Sequence, residues 1–180
     1  MRLAFLTLLL MTACASPPRE RFYTLEAAAP PAGGDAALSV AVGPVSIPDL
    51  VDRPQFVVRV GANQVTITEQ ARWAEPLKSA IARVVAANLA SALSARAVSP
   101  RNGEADYRVA LDVQRFDSGP DDSVLIDAAW TVASKDGRRS GRSIVREKVK
   151  PMEYGALAAA HSAALAALSR EIAEAIRSQK

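Results

Sequence analysis

Cys14, the single cysteine of this 180-residue chain, is the residue best placed for covalent chemistry. The chain starts with a basic residue, Arg2, continues with an apolar run up to Met11, and reaches Cys14 through the small pair Thr12-Ala13. Signal peptides have this layout and are cut after small residues during export. A cysteine directly after the cut matches the bacterial lipobox, with methionine in place of the more usual leucine. We therefore predict a lipoprotein signal peptide over residues 1–13 and acylation of Cys14; the alternative is an ordinary secretory signal with an unrelated cysteine.

The same segment predicts where the protein resides. The apolar run is too short to cross a bilayer, which takes about twenty apolar residues. The other apolar stretches, near Ile81 and Leu165, are interrupted by polar and charged residues. Stable anchoring takes two or more acyl chains, and a bacterial lipoprotein cysteine carries several. Ala15 is not acidic, which by resemblance to enterobacterial sorting rules favours the outer membrane, so we expect a lipid-anchored body on its periplasmic face.

His161 is the other candidate for chemistry, as the single histidine of the chain. It could act as a general base or a metal ligand, yet it falls on the apolar stripe of a predicted helix with no Cys, His or carboxylate cluster near it in sequence. We therefore expect a core or interface histidine with one satisfied nitrogen. The chain also lacks a Gly-x-Ser-x-Gly elbow and a glycine-rich phosphate loop.

Asp117, Asp121 and Asp122 could suggest calcium. Their spacing lacks the glycine and the distal glutamate of an EF-hand, which favours a solvated turn. We accordingly predict a protein that is not an enzyme, with no catalytic residue, no metal site and no cofactor other than the covalent lipid.

The charge of the chain argues against nucleic acid as a partner. Of 22 basic and 19 acidic residues, removal of Arg2 with the signal peptide leaves 21 against 19, a net charge of +2. A cluster of basic residues lies between Arg138 and Lys150. It could contact anionic lipid head groups, but it is more typical of the wet face and turn of an exposed strand. Acylated Cys14 is not available for a disulfide, so packing alone must stabilise the fold.

The pattern of residues predicts one domain at 38–180 behind a lipidated tether at 14–37, rich in Ala, Pro and Gly. Within the tether, the segment 22–25 (Phe-Tyr-Thr-Leu) is either a short edge strand docked on the body or a partner contact, and we expect docking. Helical periodicity predicts helices over about 76–97 and 152–178. Period-two alternation predicts a strand with a bend or bulge over 38–47, a hairpin over 55–60 and 64–68, and an antiparallel meander over 107–114, 124–132 and 143–149.

These elements predict an α/β fold of the α+β type. Two helices should pack on one face of a mostly antiparallel sheet of about five to six strands. Trp73, just before the first helix, is either a hydrophobic staple at the helix start or an interface anchor.

An ordered series of short motifs resembles a known family. It comprises 22–25, Val42-Gly43-Pro44-Val45 with Ile47-Pro48 and Leu50, Arg53-Pro54-Gln55, and Arg72-Trp73-Ala74-Glu75-Pro76-Leu77. The series resembles the PqiC/YmbA-type ABC-transport auxiliary lipoproteins, most strongly from Tyr23 to Leu93.

The resemblance implies a non-enzymatic outer-membrane lipoprotein that works with an inner-membrane complex containing an MCE-domain tunnel protein, in phospholipid movement and envelope integrity. It also implies a homo-oligomer. Outer-membrane phospholipid would be contacted through the acyl anchor. By similarity, the regions 22–25 and 53–55 would be structural or contact features. With the candidate interface anchor Trp73, the possible partner contacts are Phe22, Tyr23, Leu25, Arg53, Gln55 and Trp73.

Three functions therefore remain for test. The first is an adaptor between a periplasm-spanning lipid transporter and the outer membrane. The second is a periplasmic lipid-binding shuttle. The third, which has the least support, is a periplasmic hydrolase that uses His161.

We expect the Cys14→Ser variant to lose incorporation of radioactive palmitate, since it lacks the thiol that carries the acyl chains. Labelling of the native protein and the variant in growing cells measures this. Equal labelling of both proteins, or labelling of neither, would contradict lipidation at Cys14.

Overall fold

The structure, a computed structural model, describes residues 19–28, 37–99, 105–119 and 121–178. Within them, one mixed sheet of eight strands packs against two helices, which also contact each other. In chain order the elements are β1 (Arg21–Tyr23), β2 (Ser39–Ser46), β3 (Gln55–Gly61), β4 (Gln64–Trp73), α1 (Leu77–Leu93), β5 (Arg96–Ala97), β6 (Tyr107–Gly119), β7 (Ser123–Ser134), β8 (Gly137–Lys148) and α2 (Tyr154–Arg177).

The α+β class is confirmed, and the sheet has more strands than the five to six predicted. The sheet count includes β1, the short edge strand expected within segment 22–25, and β5, which was not expected; they have three and two residues. A run as short as β5 shows no alternation that would separate it from a loop. The long ladders β3–β4, β6–β7 and β7–β8 are antiparallel, as predicted, whereas the pairs β1–β4, β2–β5, β2–β6 and β3–β6 are parallel.

Strand β6 is the centre of the sheet. One of its sides pairs with β7 along almost its whole length. Its other side pairs with β2 near its start, where Val40 faces Tyr107, and with β3 near its end, where Val58 faces Ser118. The sheet therefore branches at β6, which sequence order alone could not reveal.

A bulge in β6 decides which side chains reach the helices. Up to Val113 the odd-numbered residues are buried and most even-numbered ones are exposed. The register with β7 shifts between Val113 and Arg115, so the buried positions become Phe116 and Ser118. A bulge adds one residue to one strand and re-aims the side chains that follow it. A second irregularity, between Val42 and Val45 of β2, confirms the predicted bend.

Both helices bury one apolar stripe, as their periodicity predicts. The stripe of α1 includes Leu77, Ile81, Val84, Val85 and Leu89, and that of α2 includes Leu157, Leu165, Leu168, Ile172 and Ile176.

Helix α1 ends at Leu93, four residues before the predicted 97, because Ser94 adopts the left-handed conformation at φ 49°. Its N–H, and that of the next residue, bond back to helix carbonyls, which is how many helices terminate.

Trp130 joins β7, β8 and α2. Its indole Nε1–H donates to Ser143 Oγ at 3.0 Å, and the Ser143 hydroxyl in turn donates to the Glu171 carboxylate on α2. The ring lies directly over Gly141 of β8. A Cβ atom built at this glycine would sit 2.3 Å from the ring atom Cζ2. The close approach therefore requires glycine at this position.

We expect Gly141→Ala to destabilise the protein by about 1–3 kcal/mol, since the added methyl group must displace a buried ring. The matched control is Gly61→Ala, where a Cβ meets only ordinary contact at 3.7 Å. Urea unfolding of both variants measures the difference in the free energy of unfolding. Equal stability of the two variants would show that the Trp130 ring moves aside without cost.

Candidate functional site

Three motif segments that are distant in sequence meet at one end of the sheet. They are 22–25, 53–55 with the adjoining Phe56, and 72–77, and we call their meeting place the junction. Strand β1 pairs in parallel with the end of β4, with Tyr23 opposite Trp73. On the other side of β4, Gln55 of β3 lies opposite Arg72. The junction is thus one continuous piece of sheet.

Backbone hydrogen bonds extend these pairings beyond the strands. The N–H of Trp73 donates to the Pro54 carbonyl at 2.6 Å, and the N–H of Ala74 donates to the Tyr23 carbonyl at 2.8 Å. Helix α1 adds a side-chain bond, since the Arg83 guanidinium donates to the Leu25 carbonyl at 2.9 Å. The N-terminal segment is therefore fixed to both the sheet and α1.

An aromatic cluster forms the core of the junction. The rings of Phe56 and Trp73 stack with centroids 4.0 Å apart, and Tyr23 contacts Phe56 edge-on at 5.4 Å. Tyr154, the first residue of α2, completes the cluster at 5.4 Å from Phe56. Stacked and edge-on aromatic pairs stabilise by about 0.5–1.5 kcal/mol beyond the area they bury. The junction is accordingly a packed structural unit.

The docking of segment 22–25 is seen directly. Leu25 is fully buried, and the chain beyond it bonds to both helices: the N–H of Glu26 donates to Ser162 Oγ at 3.1 Å, and that of Ala28 to Asn88 Oδ1 at 2.9 Å. Part of the predicted tether thus lies on the body. The remainder of the tether and Cys14 lie outside the described residues.

The six predicted partner contacts separate into buried and accessible side chains. Leu25 and Trp73 are core residues, at 0% and 7% exposure, and Tyr23 is half-buried. Phe22 is 61% exposed, and Arg53 and Gln55 are partly exposed. The accessible group is therefore the part of the junction that can meet a partner, while the buried group shapes it.

A shallow groove of about 340 Å³ opens at the junction beside Arg53. Its floor contains Trp73 and Leu77, and Pro54 and Pro76 line it as well. A second groove, of about 530 Å³, runs along Phe22 and the small residues of α2, among them Gly155 and Ala159. Sequence motifs indicated the side chains but not these concave surfaces, since a groove exists only once the segments are packed.

His161 lies in the core, as predicted, with one nitrogen satisfied. Its Nε2 is 3.1 Å from Ser118 Oγ, and its ring stacks on Phe116 with centroids 3.9 Å apart. The side chains of His161 and Ser118 are 1% and 2% exposed, and Nδ1 has no hydrogen-bond partner among the described residues. Burial lowers the pKa of His161 to about 3, which keeps the imidazole neutral.

The serine–histidine contact has the geometry of a nucleophile and its base, which a hydrolase would need. Both side chains are sealed beneath the aromatic cluster, and the space beside them is only about 10 Å³. That volume is about the minimum for one water molecule and admits no substrate. The pair therefore stabilises the core and does not form an accessible site.

Two arginines of the basic cluster and two of the candidate aspartates take part in ion pairs. Arg142 pairs with Asp127 at 2.6 Å, and Arg146 pairs with Asp121 at 2.7 Å, on the exposed strand β8. Asp117 pairs with Arg115 at 2.6 Å. The Arg142 guanidinium holds the pKa of Asp127 below its ordinary value by hydrogen bonding. The cluster is thus the solvated face of an edge strand, as the sequence favours.

The family model of the ABC-type transport auxiliary lipoprotein component matches residues 23–173. The chain belongs to this family. No helix among the described residues of this family member is long and apolar enough to cross a membrane.

Solved structures show that the fold recurs. A crystal structure of an uncharacterized protein superposes with a TM-score of 0.75 at 21% identity, over 88% of this chain and 99% of the other. Protein XCC0632 from Xanthomonas campestris, of the DUF330 family, superposes with a TM-score of 0.65 at 20% identity, over 89% of this chain and 99% of its own. At these identities the likeness concerns the fold alone. No curated protein sequence matches the chain significantly.

We expect the stability of the protein to fall on acidification because of His161. Its pKa is about 3 in the folded state against an ordinary 6.5, so the unfolded state binds more protons between these values. The contribution of the neutral His161 to the free energy of unfolding is fully present above pH 6.5. As the pH falls below this value, it is lost by about 1.4 kcal/mol per pH unit. Urea unfolding should therefore give a free energy of unfolding about 2 kcal/mol lower at pH 5.0 than at pH 7.5.

The variant His161→Gln has no imidazole to titrate. Between pH 7.5 and pH 5.0 its free energy of unfolding should therefore fall by about 2 kcal/mol less than that of the native protein. The variant Ser118→Ala keeps the imidazole, so its free energy of unfolding should fall as much as that of the native protein. Carboxylates such as Asp127 are common to all three proteins, so the difference isolates the histidine. The same pH dependence in His161→Gln as in the native protein would contradict this account.

Proposed function

We propose that this protein is an outer-membrane lipoprotein adaptor, which joins a periplasm-spanning MCE/ABC-type lipid transport complex to the outer membrane. In this role it contributes to phospholipid transport and envelope integrity, and the acyl chains on Cys14 provide the contact with outer-membrane phospholipid. Membership of a transport auxiliary lipoprotein family supports the transport role. The lipobox supports the anchor.

One observation carries the adaptor function. The junction gathers three of the four family-like motifs at one end of the sheet and leaves Phe22, Arg53 and Gln55 accessible there. Phe22 is a large apolar side chain at 61% exposure on an otherwise well-packed unit. Exposed aromatic and arginine side chains on a rigid support are typical of protein interfaces.

The inaccessibility of Ser118 and His161 supports an adaptor over a hydrolase. Catalysis by this pair would require a path for substrate to a space of about 10 Å³ beneath the aromatic cluster. The transport role of the family points in the same direction, so we assign no catalytic residue.

A lipid-binding shuttle is the second candidate, and one feature favours it. A groove of about 920 Å³ runs between α1 and β2, with apolar residues such as Val42 and Ala86 and the cations Lys78, Arg83 and Arg108 in its lining. Lys78 and Arg83 are already paired, with Asp52 and Glu75. A lipid head group would have to compete with these carboxylates, which favours the adaptor. Near-stoichiometric phospholipid in native mass spectra of the purified protein would favour the shuttle.

We expect the mature lipoprotein in detergent to bind the MCE-domain protein from the same organism, and Phe22→Ser to weaken this binding about tenfold or more. The reason is the loss of a large apolar contact at the junction. Ile144→Ser is the matched control, since Ile144 is exposed to a similar extent (64%) on β8, away from the junction. Surface plasmon resonance with the immobilised MCE-domain protein gives the dissociation constants.

Absence of binding by the native lipoprotein would contradict the adaptor function. Equal weakening by Phe22→Ser and Ile144→Ser would instead place the interface elsewhere on the molecule.

A further inference from the structure

Arg53 differs from Arg59 of β3 and Arg72 of β4 in having no anion among the described residues. Three arginines, Arg53, Arg59 and Arg72, have a buried Nε–H without a hydrogen-bond partner. Arg59 pairs through its terminal nitrogens with Asp117 at 3.6 Å, and Arg72 with Glu20 at 3.0 Å. Among the described residues, Arg53 takes part in no side-chain hydrogen bond or ion pair. The terminal N–H groups of Arg53 are therefore able to bind an external anion, through hydrogen bonds that its charge strengthens.

The groove beside Arg53, introduced above with a volume of about 340 Å³, also contains two carboxylates. Asp52 is neutralised by Lys78 at 2.6 Å, and Glu75 is neutralised by Arg83. Neither acid pairs with Arg53, although both line the same groove. The cation is therefore left available while its acidic neighbours are occupied.

The rest of the groove is apolar. Trp73 and Leu77 form a floor at 7% and 2% exposure, and Pro54 and Pro76 are exposed in its lining. Grooves that combine aromatic and proline side chains favour extended, proline-containing peptides. The volume lies at the lower end of the range of about 300–1,000 Å³ that is usual for ligand pockets, which suits a few residues of a peptide better than a whole phospholipid.

We propose that this groove binds an extended acidic segment of a partner protein. One carboxylate of the segment accepts hydrogen bonds from the terminal N–H groups of Arg53, and neighbouring proline or apolar residues pack against Pro54 and Pro76. Arginine presents two parallel donors that match the two oxygens of a carboxylate. The inference rests on the proposed adaptor function and names the chemistry of the contact that the adaptor makes.

The shape of the groove favours a peptide over an anionic membrane as the source of the negative charge. Arg53 is only partly exposed, whereas Pro54 and Pro76 in the same lining are exposed. A single carboxylate in an extended chain can enter a concave site and reach the guanidinium, whereas a flat anionic surface first meets the exposed prolines.

The experiment uses the mature lipoprotein in detergent and two fluorescein-labelled peptide amides, Ala-Pro-Glu-Pro-Leu and its glutamine counterpart Ala-Pro-Gln-Pro-Leu. We expect fluorescence anisotropy to show at least about tenfold tighter binding of the glutamate peptide, as charge-assisted hydrogen bonds are worth about 1.5–3 kcal/mol. Arg53→Gln should abolish this preference. Arg138→Gln, which removes an exposed arginine of β8 far along the chain from the junction, should leave it intact.

Equal affinity of the native protein for the two peptides would overturn the proposal. So would flotation with phosphatidylglycerol vesicles that falls in Arg53→Gln but not in Arg138→Gln, if neither peptide is preferred, since the arginine would then serve the membrane.

Binding to the MCE-domain protein separates this inference from the function on which it rests. If the native protein binds that partner and Arg53→Gln binds it equally well, the inference fails and the adaptor function stands. If the partner does not bind but the preference for glutamate holds, the adaptor function fails and the acidic-peptide site stands.

Discussion

The stacking of Phe56 on Trp73 is the contact on which the junction depends. The hairpin β3–β4 has little backbone support from the rest of the sheet, because β3 shares a single registered pair, Val58 with Ser118, with the central strand. Side chains therefore attach the hairpin to the body. Trp73 reaches Phe116 of β6 edge-on at 6.2 Å, and Phe56 reaches Tyr154 of α2. The stack fixes the two rings that hold the hairpin to β6 and α2, so weakening it would loosen the support of the exposed contacts of the junction.

The same aromatic layer explains the buried histidine. Phe116 and Ser118 face inward only because β6 is bulged between Val113 and Arg115. The bulge supplies His161 with a ring to stack on and a hydroxyl to bond. A neutral imidazole in this environment behaves as an aromatic core residue with one polar requirement, and that requirement is met. Irregular backbone at one point of the sheet thus stabilises a polar residue within the apolar core.

Much of the fold follows from sequence patterns, because each long element has its own period. The meander, the hairpin and both helices were predictable from alternation and from stripes such as that of Leu157, Leu165 and Ile172. The parallel pairings were not, since β1 and β5 are too short to have a period and register across distant segments is not local information. For the site, motif order identified Phe22, Arg53 and Trp73, but not which of them would be buried. Trp73 lies under the surface because Phe56, 17 positions earlier, stacks on it.

The docking of the N-terminal segment limits the distance between the body and Cys14. Strand β1 begins at Arg21, and Glu20 is already held by Arg72. Only six peptide units separate Cys14 from Glu20, and a fully extended chain spans at most about 3.3–3.6 Å per residue, or roughly 20 Å in all. If Cys14 carries the acyl chains, the junction stays within about two nanometres of the headgroup layer. Any partner of the groove beside Arg53 would then bind close to the membrane surface.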